Sequence, residues 1–186
     1  SQTYYTRTGH VHVFAENNVK NIEADNYQII STLNVQEREI KFEGLLRSFE
    51  FRFGALDRAF NSKKLNVSQY PKISFEGKVI DLDKVDFSEP GQYNVQVDGV
   101  LFIWDEKRLT KADGIIIIGK DKKITAMSNF IMRIEKQSVD KLNALMKKKL
   151  PDVVNINTLH PNTVMRNLRC ARLFECLYMR CSKHSF

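Results

Sequence analysis

Side chains able to do chemistry are few in this 186-residue chain, and they cluster near its ends. His10 and His12 stand two residues apart in "TGHVHVF", so on an extended chain they share one face. Two imidazoles at that spacing could grip a divalent cation, but metal sites need three or four ligands and no third stands nearby in sequence. They are read as a surface pair. Cys170, Cys176, Cys181 and His184 give the spacing C-x5-C-x4-C-x2-H, which lacks the short paired spacings of zinc sites. The first 169 residues hold no cysteine, so they have neither a disulfide nor a thiolate nucleophile. There is no glycine-rich phosphate loop and no H-E-x-x-H. The sequence therefore assigns no catalytic residue, no metal site and no cofactor.

Charge narrows the partners. The net charge of +7 is concentrated in residues 161–186, where Arg166, Arg169, Arg172, Arg180 and Lys183 face one acid, Glu175. Residues 1–160 carry a balance of only +3, which is no basic nucleic-acid surface. The nearest approach to a base-stacking platform is "SFEFRF", with Phe49, Phe51 and Phe53 among Arg47 and Arg52. Their parity is opposite to that of Phe42 and Leu46. Either a bulge follows Gly44, or the rings lie outside under the Gly54–Asn61 segment. No apolar run approaches the roughly 18 residues of a membrane-spanning helix. The opening "SQTYYTRTGH" is polar and does not read as a signal peptide.

The elements that must carry any site are strands. Apolar and polar residues alternate in segment after segment: Tyr27 to Leu33, Ile40 to Leu46, Ile73 to Val79, Tyr93 to Ile103, Leu109 to Ile118 and Ile124 to Ile134. Val11 with Val13, and Val153 to Ile156, are shorter candidates. About eight strands joined by short polar turns predict an all-β, eight-stranded antiparallel meander, and closing it into a barrel removes the exposed edges. One or two short helices interrupt it: Gly54–Asn61, and Ser138–Leu150, stopped by Pro151. Residues 1–160 are read as the barrel domain. Residues 161–186 are read as a basic, cysteine-containing C-terminal extension, helical or disordered; a transient membrane-surface contact by this tail is the sharper alternative.

The small residues are placed systematically. Gly44 shares parity with Ile40, Phe42 and Leu46. Gly77 shares it with Ile73, Phe75 and Val79, and Gly99 with Tyr93, Val95, Val97, Leu101 and Ile103. Ala126 sits between Ile124 and Phe130, with Met132 beyond. An inner face that is large at its ends and small at mid-height predicts an apolar cavity in the barrel, in preference to a bend at a barrel corner. With almost no charge on that face, the expected ligand is a long-chain isoprenoid or fatty lipid, each CH2 contributing roughly 0.8 kcal/mol on burial. A barrel-fold enzyme acting on a hydrophobic substrate is the alternative, since a constellation assembled in space leaves no local motif. A nucleic-acid-binding module ranks below it.

The chain also resembles a known family, the YceI-like proteins, over roughly residues 4–160. The resemblance rests on "YYTRTGHVHVFAE", "NIEADNYQI", "SFEF" at 48–51, "NSKKLNVSQYPKISFEGKV" at 61–79 and "GQYNVQVDGVLFI" at 91–103. It implies a lipocalin-like antiparallel barrel that binds polyisoprenoid or other long-chain lipids, acts as a binder and not an enzyme, and resides in the bacterial periplasm. This chain would then be a mature form whose signal peptide is absent. Two departures stand out. Where the family often carries Glu-His the chain has Arg58 and Ala59, and where it often reads L-T-I-H-G-V-T-K the chain runs from Leu101 through Trp104 to Arg108. Head-group recognition, like the oligomeric state, is left unassigned.

Overall fold

The computed structural model describes residues 2–15, 21–61, 68–104, 106–132, 154–156 and 179–181. Its long strands are β1 (Thr3–Ala15), β2 (Ile22–Asn34), β3 (Glu39–Leu45), β5 (Lys72–Val79), β6 (Gly91–Ile103), β7 (Glu106–Ile118) and β8 (Ile124–Met132). Three short strands accompany them: β4 (Glu50–Phe51), β9 (Val154–Ile156) and β10 (Met179–Cys181). Neighbouring strands are antiparallel throughout. The order β1-β9-β8-β7-β6-β5-β3-β2 returns to β1 through a β1–β2 pairing, so the sheet closes. This is the expected antiparallel barrel.

The strands form where alternation and turn chemistry agree. Between β6 and β7 every residue from Gly91 to Ile103 has a partner from Ile118 back to Glu106, without a shift. Opposite residues share a face, so the inward row of β6 fixes that of β7. The turn at Arg38, between β2 and β3, and the turn at Lys122, between β7 and β8, each place one non-glycine residue at positive φ.

Two places depart from simple alternation. The "SFEFRF" phenylalanines divide: Phe49 turns into the core, while Phe51 lies against the Gly54–Phe60 helix, as the second alternative had it. A 3-10 turn at Leu46–Ser48 intervenes. Residues three apart eclipse in such a turn, so Leu46 and Phe49 both enter the core, at 1% and 5% exposure. Phe51 packs against Phe60 of the helix α1 (Gly54–Phe60), ring centres 4.9 Å apart. The second departure lies between β1 and β2, whose register shifts between Thr6 and Gly9 and again between Gly9 and Val11.

The core runs through the barrel from Phe42 and Phe75, whose rings stack at 5.3 Å, to Leu101, Val97 and Ile116. The β5–β6 connection covers one end with Leu82, Val85 and Phe87, the last stacked on Tyr4. At the other end lie α1 and the β6–β7 turn, where Phe60 meets Trp104. The expected helix at Ser138–Leu150 lies outside the described residues. Met179–Cys181, within the stretch expected as an extension, pair with Ile124–Ala126 of β8.

Candidate functional site

The inner wall contains most of the residues expected there. Ile40, Phe42, Leu46, Ile73, Phe75, Val79, Val95, Val97, Leu101, Ile103, Ile124 and Ala126 are buried in the core, with Tyr93 and Phe130 packed against it. Gly44, Gly77 and Gly99 fall on the same face, opposite Ile73, Ile40 and Thr110 respectively. Met132 is the last residue of β8.

Neighbouring side chains stand directly above the glycines. Gly77 and Gly99 are direct cross-strand partners, and the Phe75 ring lies over both. A Cβ on Gly77 would sit 2.6 Å from Phe75 Cε1 and 2.9 Å from the Asp98 carbonyl oxygen. One on Gly99 would meet the Glu76 carbonyl oxygen at 2.5 Å. Gly44 is covered in the same way by Ile29, which is fully buried. The small residues are thus seats for large ones. Among the described residues, a narrow apolar space of about 30 Å³ lies beside Leu33, Ile40, Val95, Val97 and Ile116. A larger open groove of about 720 Å³ crosses the outside of β6–β8 and is polar, lined by Asp81, Lys84, Asn94, Gln96, Asp113 and Asn129.

The inner wall is also less uniformly apolar than the sequence suggests. Glu106 lies opposite Ile103 and Arg108 opposite Leu101, so both point inward at the α1 end. Arg108 donates from Nη2 (2.6 Å) and Nε (3.2 Å) to one Glu106 oxygen. Thr110, opposite Gly99, continues this polar edge. The expectation of almost no inward charge is corrected here. Short alternation cannot decide which parity of "EKRLTK" faces in, because only the pairing with β6 sets it.

His10 and His12 do not form the surface pair expected. They point away from Val11 and the core, yet are only 7% and 8% exposed. Asp25, which is opposite His12 on β2, accepts from His10 Nε2 at 2.6 Å and from His12 Nδ1 at 2.8 Å through one oxygen. Tyr27 stacks on His10, ring centres 4.3 Å apart. Burial pushes the Asp25 carboxyl up, but the hydrogen bonds and charges of the two imidazoles outweigh it and hold it well below the usual carboxylate range. An ionised carboxylate only accepts, so these two nitrogens carry the protons. The sequence hid Asp25 because the β1–β2 register shifts decide which β2 residue lies beside His12. Among the described residues no group of three His, Cys, Asp or Glu is arranged to hold a metal ion.

No protein-family model matches the sequence, and no curated protein matches it. Solved structures do. A polyisoprenoid-binding domain from Saccharophagus degradans, implicated in plant cell wall breakdown, superposes with a TM-score of 0.71 over 97% of this chain and 99% of that one. At 8% identity the likeness is one of fold. A mutant CJ YceI protein solved with a monobromobimane guest is 12% identical, covering 98% of this chain and 85% of that one at a TM-score of 0.48. The architecture, a closed antiparallel β-barrel, is the fold of the polyisoprenoid-binding domain.

Proposed function

We propose that this protein binds one long-chain apolar lipid inside the barrel, as a carrier, store or sensor. A single observation carries the reading. The mid-barrel wall has a paired glycine floor, Gly77 and Gly99, roofed by one aromatic side chain, Phe75. Rotation of that ring away from the floor would free a ring-sized volume without breaking a backbone hydrogen bond. The surrounding wall of Phe42, Val97, Leu101 and Ile40 supplies apolar contact. Burial of one five-carbon isoprene-sized unit is worth about 3–4 kcal/mol gross, which offsets swinging out one ring and ordering a flexible chain. The polyisoprenoid-binding domain of the same fold supports the ligand class.

An organic extract of freshly purified native protein, read by mass spectrometry, tests this directly. A long-chain apolar molecule at near-stoichiometric amount is the expected result, together with uptake of added prenyl lipid. A clean extract with no uptake would overturn the reading.

A further inference from the structure

We propose that the β6–β7 turn reads the polar end of the bound lipid, and that this end is a neutral oxygen acceptor of the carbonyl or ether type, held by the indole N–H of Trp104. The inference rests on the lipid-binding reading above and adds the orientation and head-group class of the ligand.

Three observations meet at this end of the barrel. First, the indole Nε1 of Trp104 is fully buried and has no hydrogen-bond partner. An indole N–H can only donate, and a buried donor left unpaired is costly, so such groups are normally satisfied by protein, water or ligand. Second, Trp104 sits at φ 54° in the β6–β7 turn, in the left-handed region that bulky side chains avoid. Strain of this kind persists where the surroundings hold it, and here the ring packs on the core and lies 6.4 Å from Phe60 of α1. Third, Glu106, Arg108 and Thr110, just beyond the turn, are a run of polar residues on a wall otherwise lined by Val, Leu, Ile, Phe and small residues. A lipid with its chain along the Phe75 wall and its polar end here would match both surfaces.

Charge balance chooses the head-group class. The guanidinium of Arg108 faces the Glu106 carboxylate at 2.6 Å, so this pair, among the described residues, carries no net positive charge. An anion brought in here would add a negative charge to a pair that is already neutral, so its desolvation would be offset only in part. A neutral carbonyl or ether oxygen needs only the one donor that Trp104 provides.

The test uses three probes with one chain length: tetradecane, methyl tetradecanoate and tetradecanoate. Intact protein is incubated with an equimolar mixture, separated from free lipid, extracted and quantified by mass spectrometry. The ester is expected to be enriched about three- to tenfold over the alkane, as one neutral hydrogen bond allows, and over the carboxylate as well. Trp104→Phe keeps an aromatic ring and loses the donor, so it should abolish the ester-over-alkane preference while alkane uptake persists. Equal uptake of ester and alkane, or a Trp104→Phe loss common to both, overturns the head-group proposal and leaves lipid binding standing. Preferential uptake of the carboxylate overturns the neutral-acceptor assignment. Failure to take up any probe overturns the lipid-binding reading and this one with it. The comparison on the unaltered protein decides between these even if the variant folds poorly.

Discussion

The β5–β6–β7 wall and the β1–β2 wall belong to one closed sheet but are built on different rules. Along β6–β7 thirteen consecutive pairs keep register, and side-chain direction follows parity without exception. Along β1–β2 two shifts occur within five residues of β1. The first shift reverses the core-facing parity of β1, from Tyr4 and Thr6 to Gly9, Val11 and Ala15, and the second reverses that of β2, from Ser31 and Ile29 to Asn26 and Ala24. The regular wall is held by apolar burial and close packing of strands. The shifted wall buries polar groups and must satisfy them: Asn26 donates to the Leu45 carbonyl, Ser31 to that of Lys41, and Asp25 accepts from two histidines. A shifted ladder thus exchanges hydrophobic redundancy for specific hydrogen bonds. Single substitutions should show it.

The largest effect is expected on the shifted wall. Asp25→Ala would leave two buried imidazoles without their acceptor, and loss of two hydrogen bonds to a charged group should cost about 3 kcal/mol. In a domain of this size that is roughly 6–12 °C in thermal midpoint. The same group gives a pH signature. Its carboxyl is held below the ordinary value of 3.8, so its contribution is fully present above about pH 4 and is lost as the pH falls through the lowered value. Thermal melts of Asp25→Asn between pH 6 and pH 2.5 should therefore show a flatter acid limb than the native protein. An unchanged limb would show that the pairing contributes little.

Next in size is the glycine floor of the regular wall. A methyl on Gly99 runs into backbone of the neighbouring strand, the Glu76 oxygen and the Gly77 Cα, neither of which can move alone. Gly99→Ala should cost about 2 kcal/mol, within the range for overpacking. Gly77→Ala meets the Phe75 ring, which can swing aside, and backbone only at the Asp98 oxygen, 2.9 Å away against 2.5 Å for the Glu76 oxygen at Gly99, and should cost about 1 kcal/mol. Urea denaturation of the two variants ranks them; the reverse order would mean that the ring, and not the strand spacing, is the rigid element. The smallest effect is expected at Leu109, on the outward parity of β7 and 92% exposed. Leu109→Ser should change stability by less than about 0.5 kcal/mol, and a larger loss would mean that this face is covered by another surface.

Much of this could be read from the sequence, and the readable part has a common physical origin. Alternation in Ile73–Val79 and Tyr93–Ile103 fixed strand, face and neighbours, because the side-chain period of an extended chain is a local property. The antiparallel barrel followed from many such strands joined by short turns. Residues whose direction depends on a partner strand were not readable. Glu106 and Arg108 turn inward only because β7 pairs with β6 in one register, and Asp25 reaches His10 and His12 only through the shifts between β1 and β2. The glycines fall between these cases. Their face was legible at once, but the volume above a missing side chain belongs to whichever neighbour leans into it. At Gly77 and Gly99 that neighbour is Phe75, at Gly44 it is Ile29, and only the packed tertiary structure could decide it.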